Sequence, residues 1–222
     1  MFRKMAGIVL ALMLLGNSAA ALEIETVQTH VPTDTTGAQM TLYRAHMDNG
    51  QEIYFLGEAD GGRGKLEDVN FDGHADFVTF PTLGARNFFA SFYVYQPETN
   101  RYEFAPVWNG QLCNYELDAE KKYVISQVSD GMRDGDTWIY RWADGHLEPL
   151  RRMHIAPYEE FVWTENGYTI THDNSRYEIT IWDYVGNVNG DVIFEAVYPA
   201  DETGKAESEQ IAAAREVLFA QE

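Results

Sequence analysis

Hydrophobic and polar residues alternate in short segments along most of the chain, and turn residues separate these segments. Residues 41–46 and 51–56 alternate in this way on either side of Asn49-Gly50, and Asn-Gly is the strongest short signal for a β-hairpin. Similar pairs of strands with a turn between them occur at 87–104, 137–151, around Asn166-Gly167 and at 177–198. The pattern therefore predicts antiparallel strands throughout.

Many short strands, each ended by a turn, favour an all-β sandwich, barrel or propeller over a parallel α/β sheet. Aromatic strands followed by a glycine turn recur at Gly50, Gly145 and Gly167, which favours a small β-propeller-like or related antiparallel β architecture. The exception is the segment at about 207–219, where apolar residues at helical spacing predict a short C-terminal helix. No linker divides the chain, so we expect a single domain over residues 22–222.

The first 21 residues have the pattern of a secretory signal peptide. Arg3 and Lys4 precede an uninterrupted apolar run, and small residues end at Ala21, where we expect cleavage. No later apolar run approaches the ~20 residues that a transmembrane helix needs. We therefore expect a periplasmic protein without a transmembrane segment. Cys113 is the only cysteine, so no internal disulfide can form, and we expect its thiol to be buried and inert.

The chain is strongly acidic, with 16 Lys and Arg residues against 35 Asp and Glu residues and a formal charge of -19. Loss of Arg3 and Lys4 with the signal peptide would make the remaining chain two charges more negative. Nucleic-acid binding is not expected, because it needs a basic surface that displaces counterions from phosphate. A basic partner would be attracted electrostatically, although an acidic surface also serves simply to keep an exported protein in solution.

One segment, residues 68–76, carries a recognisable metal-binding pattern. Oxygen-bearing side chains stand at positions 1, 3, 5 and 9, glycine stands at position 6, and the backbone carbonyl of position 7 is a further candidate ligand. The predicted ligands are Asp68, Asn70, Asp72, His74 and Asp76. Crowded carboxylates repel each other unless a cation neutralises them, and oxygen-only ligands favour a hard ion such as Ca²⁺.

The segment differs from the twelve-residue EF-hand loop, because position 12 is Thr79 and cannot supply a bidentate carboxylate. Residues 77–80 also have the composition of a strand. The ion would therefore stabilise a junction between a loop and a strand, and would not move two helices. The alternative is a surface turn rich in Asp, Asn and Gly that binds no ion.

Residues 66–77, 83–87, 93–95 and 97–100, together with 137–147, resemble a family of exported bacterial proteins whose best-understood members are immunity proteins. The resemblance implies a small β-propeller with one EF-hand-like calcium loop. It also implies inhibition of lysozyme-like peptidoglycan hydrolases that secretion systems deliver. It extends over residues 66–150 and gives no role to residues 155–222.

The candidate contact surface for a partner is the acidic, glycine-rich segment 129–136 with the aromatic residue that follows it. Asp134, Asp136 and Trp138 are the residues expected to enter a sugar-binding cleft. The alternative is an ordinary hairpin loop, and the glycine-rich loop 184–190 has an equal claim to partner binding.

Signatures of enzymes are mostly absent: the six histidines form no close metal-ligand pair, and there is no HExxH, GxSxG or Walker motif. We therefore expect a calcium-binding inhibitor of a basic lysozyme-like hydrolase, not an enzyme. Two alternatives stay open. One is a calcium-dependent adhesion or glycan-binding module of the envelope, and the other is a periplasmic hydrolase that uses two carboxylates.

Overall fold

The computed structural model describes residues 22–32, 39–58, 63–83, 86–106, 112–129, 134–165, 167–200 and 205–220. Within these ranges, fourteen β-strands precede one α-helix, and every strand pair is antiparallel. The predicted all-β class with a C-terminal helix is confirmed. The predicted signal peptide, residues 1–21, lies outside the described residues.

Three sheets follow one another in chain order. Sheet A consists of β1 (Glu23–Pro32), β2 (Gln39–His46) and β3 (Glu52–Gly57). Sheet B consists of β4 (Arg63–Glu67), β5 (Asp76–Leu83), β6 (Phe88–Gln96) and β7 (Arg101–Ala105), with the short β8 (Leu112–Cys113) paired to β6.

Sheet C is the largest, and its strands lie in the order β14-β13-β12-β11-β10-β9. They are β9 (Glu116–Asp118), β10 (Tyr123–Ser129), β11 (Gly135–Ala143), β12 (His146–Thr164), β13 (Gly167–Asp183) and β14 (Asp191–Pro199). The helix α1 (Lys205–Leu218) follows the last strand. No helix in the described part of the chain has the length and apolar character needed to cross a membrane.

The predicted hairpins form at the turns that the sequence indicated. β2 and β3 join at Gly50, whose φ is 81°. β11 and β12 join at Asp144 and Gly145, which both have positive φ values, 48° and 80°. Two successive positive φ values are typical of the type I′ turn, whose twist matches that of the flanking strands.

Sheet B lies between sheet A and sheet C, and its strand β5 is buried on both faces. Phe77 of β5 packs with Tyr43 and Phe55 of sheet A, whereas the next residue, Val78, packs in a second core with Tyr140 of sheet C. Successive residues of a strand face opposite sides, so β5 contributes to both cores. A near-continuous apolar strand is the sequence signal of burial on both faces.

The opposite face of sheet C is covered by α1. Ala214 and Leu218 of the helix pack against Ile179, Ile181 and Tyr198. Arg151 donates from Nη1 to the carbonyl oxygens of residues 217, 218 and 220, at 3.1, 3.1 and 2.7 Å. A cation at the C-terminus of a helix satisfies carbonyls that have no partner within the helix, so Arg151 fixes this end to the sheet.

Sheets of three, six and five strands do not correspond to the four-stranded blades of a propeller, and neither a propeller nor a closed barrel is formed within the described ranges. The chain instead adopts a related antiparallel architecture, in which three sheets and a helix pack in chain order. Cys113 is fully buried on β8, as expected.

Phe92→Ala tests the packing between sheets B and C. Phe92 is 0% exposed, so its truncation should lower the free energy of unfolding by about 3–5 kcal/mol. Phe104→Ala is the matched control, because Phe104 is 56% exposed and its loss should cost under about 1 kcal/mol. Urea denaturation of both variants measures the difference, and equal losses would contradict this assignment of the core.

Candidate functional site

The predicted metal-binding segment is the loop of the hairpin formed by β4 and β5. Glu67 and Asp76 are register partners, so the loop occupies residues 68–75 and leads directly into a strand. Gly73 has φ 90° and Phe71 has φ 62°, and these two left-handed residues turn the chain back on itself. The loop thus joins two strands, and no helix flanks it.

Hydrogen bonds fold the loop around the side chains of its first, third and fifth positions. Asp68 accepts from the backbone NH groups of Asp72 (3.1 Å) and Gly73 (3.0 Å). Asn70 Oδ1 accepts from the NH of Asp72 at 3.1 Å, and Asp72 Oδ1 accepts from the NH of His74 at 2.8 Å. The alternating oxygen-bearing side chains therefore turn inward onto one short stretch of backbone.

Asp76 occupies the ninth position and is completely buried. Its Oδ2 accepts from the NH of Val69, at 2.9 Å, and its Oδ1 accepts from the NH of Tyr95 on β6, at 2.8 Å. One carboxylate thus joins the start of the loop to the neighbouring strand. Each oxygen retains a second lone pair that could face a cation.

Burial raises the pKa of Asp76 to about 6, against the lowering effect of the NH groups of Tyr95 and Val69. The negative charges of Asp72 and Asp68 raise this pKa further. The three carboxylates therefore lie close enough to repel one another. A cation among them would relieve this repulsion and favour the ionised form of Asp76.

The donor chemistry of the loop suits Ca²⁺, since it comprises carboxylate, amide and carbonyl oxygens. Side chains of His, Cys, Asp and Glu by themselves form no group of three that could hold a metal ion in the described ranges. A calcium site here consequently also needs the Asn70 amide oxygen and the His74 carbonyl, the two predicted ligands outside the carboxylate set.

The loop is also attached to sheet C. Trp142 Nε1 donates to the carbonyl oxygen of Val69 at 2.6 Å. The Val69 side chain is fully buried in the core between sheets B and C, and Phe71 packs against the same core. The shape of the loop is therefore coupled to the packing of the two sheets.

The three residues predicted to contact a partner have different environments. Trp138 is only 9% exposed, and its ring stacks on Tyr140 and Tyr184 with centroid distances of 5.9 and 5.5 Å. The Arg152 guanidinium lies 5.2 Å from the same ring. The prediction that Trp138 enters a partner's cleft is therefore corrected: its position on β11 directs the ring into the core, where it has little surface to offer.

Asp136 forms an ion pair with Arg152 Nε (2.6 Å), and its carboxylate lies 3.1 Å from His154 Nδ1, also on the adjacent strand β12. Burial opposes ionisation of Asp136, but the hydrogen bonds from His154 and Arg152 outweigh it and lower its pKa. This carboxylate has internal partners that a docking protein would have to displace. Asp134 is half-buried just before β11, and residues 130–133 of the predicted contact segment lie outside the described residues.

A cleft that the sequence did not indicate lies between the β11–β12 turn and the glycine-rich loop 184–190. Its volume is about 310 Å³. The lining residues are His146, Leu147, Glu148, Pro149, Tyr184, Gly186, Asn187 and Val188. The sequence predicts both the β11–β12 turn and the loop 184–190. No local sequence pattern indicates that the two lie next to each other.

No protein-family model matches the chain, and no curated protein matches it. Among solved structures, it is similar to one described as "Structure of a Xanthomonas Type IV Secretion System related protein", with a TM-score of 0.43 and 13% sequence identity. The match covers 70% of this chain and 90% of that chain.

Asp72→Ala tests the calcium loop. Loss of a ligand should abolish the rise in melting temperature that Ca²⁺ gives the unaltered protein, and should lower the melting temperature to that of the protein in chelator. Glu98→Ala, in the exposed turn between β6 and β7, is the control and should retain the full effect of Ca²⁺. Stabilisation of the Asp72→Ala variant by added Ca²⁺ would disprove the site.

The pH dependence tests whether Asp76 belongs to the ligand set. Without metal, the folded-state pKa of about 6 exceeds the ordinary value of 3.8, so ionisation of Asp76 destabilises the fold as the pH rises through this window. Ca²⁺ needs the ionised form, so protons should compete with it as the pH falls through 6. We expect the difference in melting temperature between calcium and chelator to shrink below that pH. A difference that stays constant would remove Asp76 from the site.

Proposed function

We propose that this protein is exported to the periplasm, is stabilised by one Ca²⁺ ion, and acts by binding and blocking a basic lysozyme-like peptidoglycan hydrolase. The observation that carries the proposal is the geometry of loop 68–76. Its alternating oxygen-bearing side chains turn inward, and its buried ninth residue, Asp76, ties it to β6.

The proposed role of Ca²⁺ is structural. Val69 and Asp76 at the two ends of the loop contact sheet C and β6, so an ion that fixes the loop also fixes the junction of sheets B and C. Extracellular modules bind Ca²⁺ weakly, with dissociation constants of roughly 10⁻⁴–10⁻³ M, because the ion is abundant outside cells. Such an ion stabilises the fold without acting as a signal.

The charge of the chain supports a basic partner. With a formal charge of -19, the protein would attract a cationic hydrolase over long distances and raise the rate of association. Enzymes that bind the anionic cell wall benefit from a basic surface, so the two proteins would be complementary. The resemblance of residues 66–150 to immunity proteins supports the same class of partner. This proposal requires no catalytic residue in the chain.

The second candidate is a calcium-dependent glycan-binding module of the envelope, which the cleft near Tyr184 favours. An aromatic ring beside polar groups such as Glu148 is a common arrangement for holding a sugar, because the ring covers the apolar face of the sugar while the polar groups bond its hydroxyls. Binding of peptidoglycan fragments that is lost on Tyr184→Ala would favour this candidate.

Enzyme inhibition tests the proposed function. The purified protein is titrated against a panel of lysozyme-like peptidoglycan hydrolases, including any encoded beside its gene, in calcium and in chelator. We expect stoichiometric inhibition of at least one basic member and no turnover of peptidoglycan by the protein alone. Inhibition should weaken at high salt, since steering between charged surfaces is screened. Lack of inhibition in both buffers would refute the proposal.

A further inference from the structure

Val69, the second residue of loop 68–76, is fixed at three points. Its backbone NH donates to Asp76 Oδ2 at 2.9 Å, and its carbonyl oxygen accepts from Trp142 Nε1 at 2.6 Å. Its side chain is fully buried in the core between sheets B and C. The start of the loop is therefore held by one residue of the predicted ligand set, Asp76, and by one residue of sheet C, Trp142.

The backbone of Val69 sets the relative positions of two predicted ligands. Asp68 precedes Val69 and Asn70 follows it, so one planar peptide group links each of them to Val69. The NH that Asp76 holds belongs to the first of these groups, and the carbonyl that Trp142 holds belongs to the second. The two hydrogen bonds together fix φ and ψ of Val69, and with them the direction from which each ligand oxygen approaches the centre of the loop.

Trp142 is well placed to hold this carbonyl because its own ring is held by the core. The ring stacks on Phe92 of β6, with a centroid distance of 6.4 Å and an angle of 25° between the planes. Trp142 is also the register partner of Leu147, which is only 2% exposed. An indole has a single N–H donor and no acceptor, so this ring gives its only hydrogen bond to the loop.

The bond from Trp142 differs from the hydrogen bonds within the loop. Asp68, Asn70 and Asp72 accept backbone NH groups with the same side-chain oxygens that a cation would take. Those bonds compete with the ion for lone pairs. The bond between Trp142 Nε1 and the Val69 carbonyl involves no predicted ligand atom, so it can hold the loop in one shape both before and after the ion binds.

We infer that Trp142 is a positioning residue of the calcium loop: its indole NH holds the Val69 carbonyl so that the oxygens of Asp68 and Asn70 converge, and it thereby raises the affinity for Ca²⁺. The inference rests on the structural calcium ion of the proposed function. It assigns part of the affinity to a residue that lies 66 positions after the loop ends. The physical basis is preorganisation, because a site that populates its binding-competent shape only in part loses affinity by that fraction.

The test compares two single variants of the full-length protein with the unaltered protein. Trp142→Phe keeps an aromatic ring at the position and removes the N–H donor. Trp138→Phe is the matched control, because Trp138 lies on the same strand and in the same core, where its ring stacks on Tyr140 and Tyr184. Each protein is titrated with Ca²⁺ alone by calorimetry, and melting temperatures are measured in calcium and in chelator.

We expect Trp142→Phe to raise the Kd for Ca²⁺ by about 3- to 10-fold, the range that the net contribution of one hydrogen bond allows. The control should bind within about twofold of the unaltered protein. The melting temperature of the Trp142→Phe variant should consequently fall further below that of the unaltered protein at limiting Ca²⁺ than in chelator.

Three results would contradict the inference. An unchanged Kd, with the same loss of melting temperature in calcium and in chelator, would show that the bond only fastens the sheets. An equal rise in Kd for both variants would show a general effect of sheet C packing. Absence of Ca²⁺ binding by the unaltered protein would overturn the calcium site first and the inference with it, whereas the first two results leave the calcium site intact.

A second measurement decides the question if Trp142→Phe does not fold. Hydrogen exchange of the indole protons is followed by nuclear magnetic resonance on the unaltered protein. At a Ca²⁺ concentration tenfold above Kd, the Trp142 indole proton should exchange about tenfold more slowly than in chelator, because the ion depletes the open shapes of the loop. The Trp138 indole proton should exchange at the same rate in both buffers. Equal rates for Trp142 would overturn the inference.

Discussion

The buried carboxylate of Asp76 holds together the part of the molecule on which the candidate site depends. Its two oxygens accept hydrogen bonds from Val69 in the loop and from Tyr95 on β6. A carboxylate that is removed from water needs such donors, and it is costly to ionise without further compensation. Asp76 therefore gives the loop its shape. Its ionised form is also unfavourable in the buried site, and a bound cation would stabilise it.

The loop matters to the whole fold because sheet B is the central layer. Alternate residues of β5 and β6 supply both its interface with sheet A and its interface with sheet C, and Trp142 of sheet C bonds to the carbonyl of Val69. Disturbance of the loop would therefore reach the core between sheets B and C. This arrangement explains why a bound ion would stabilise the protein even if it never touched a partner.

The residues predicted for metal binding and those predicted for partner binding have different environments in the structure. Loop 68–76 lies at the junction of sheets B and C, where Trp142 donates to the carbonyl of Val69. Trp138 is buried, and Asp136 is bonded to Arg152 and His154 on the neighbouring strand.

The sequence by itself determined what depends on neighbouring residues: the hairpins, the C-terminal helix, the turn at Gly73 and the oxygen-bearing pattern of loop 68–76. These features follow from alternation, turn chemistry and spacing, which act over a few residues. Only the tertiary structure decided that Trp138 faces a core, that Asp136 pairs with Arg152, and that β12 and β13 pair beyond the ends of β11 and β14. Those outcomes depend on which strands pair and where each pairing ends, and distant segments fix both when they compete to bury the same apolar surface.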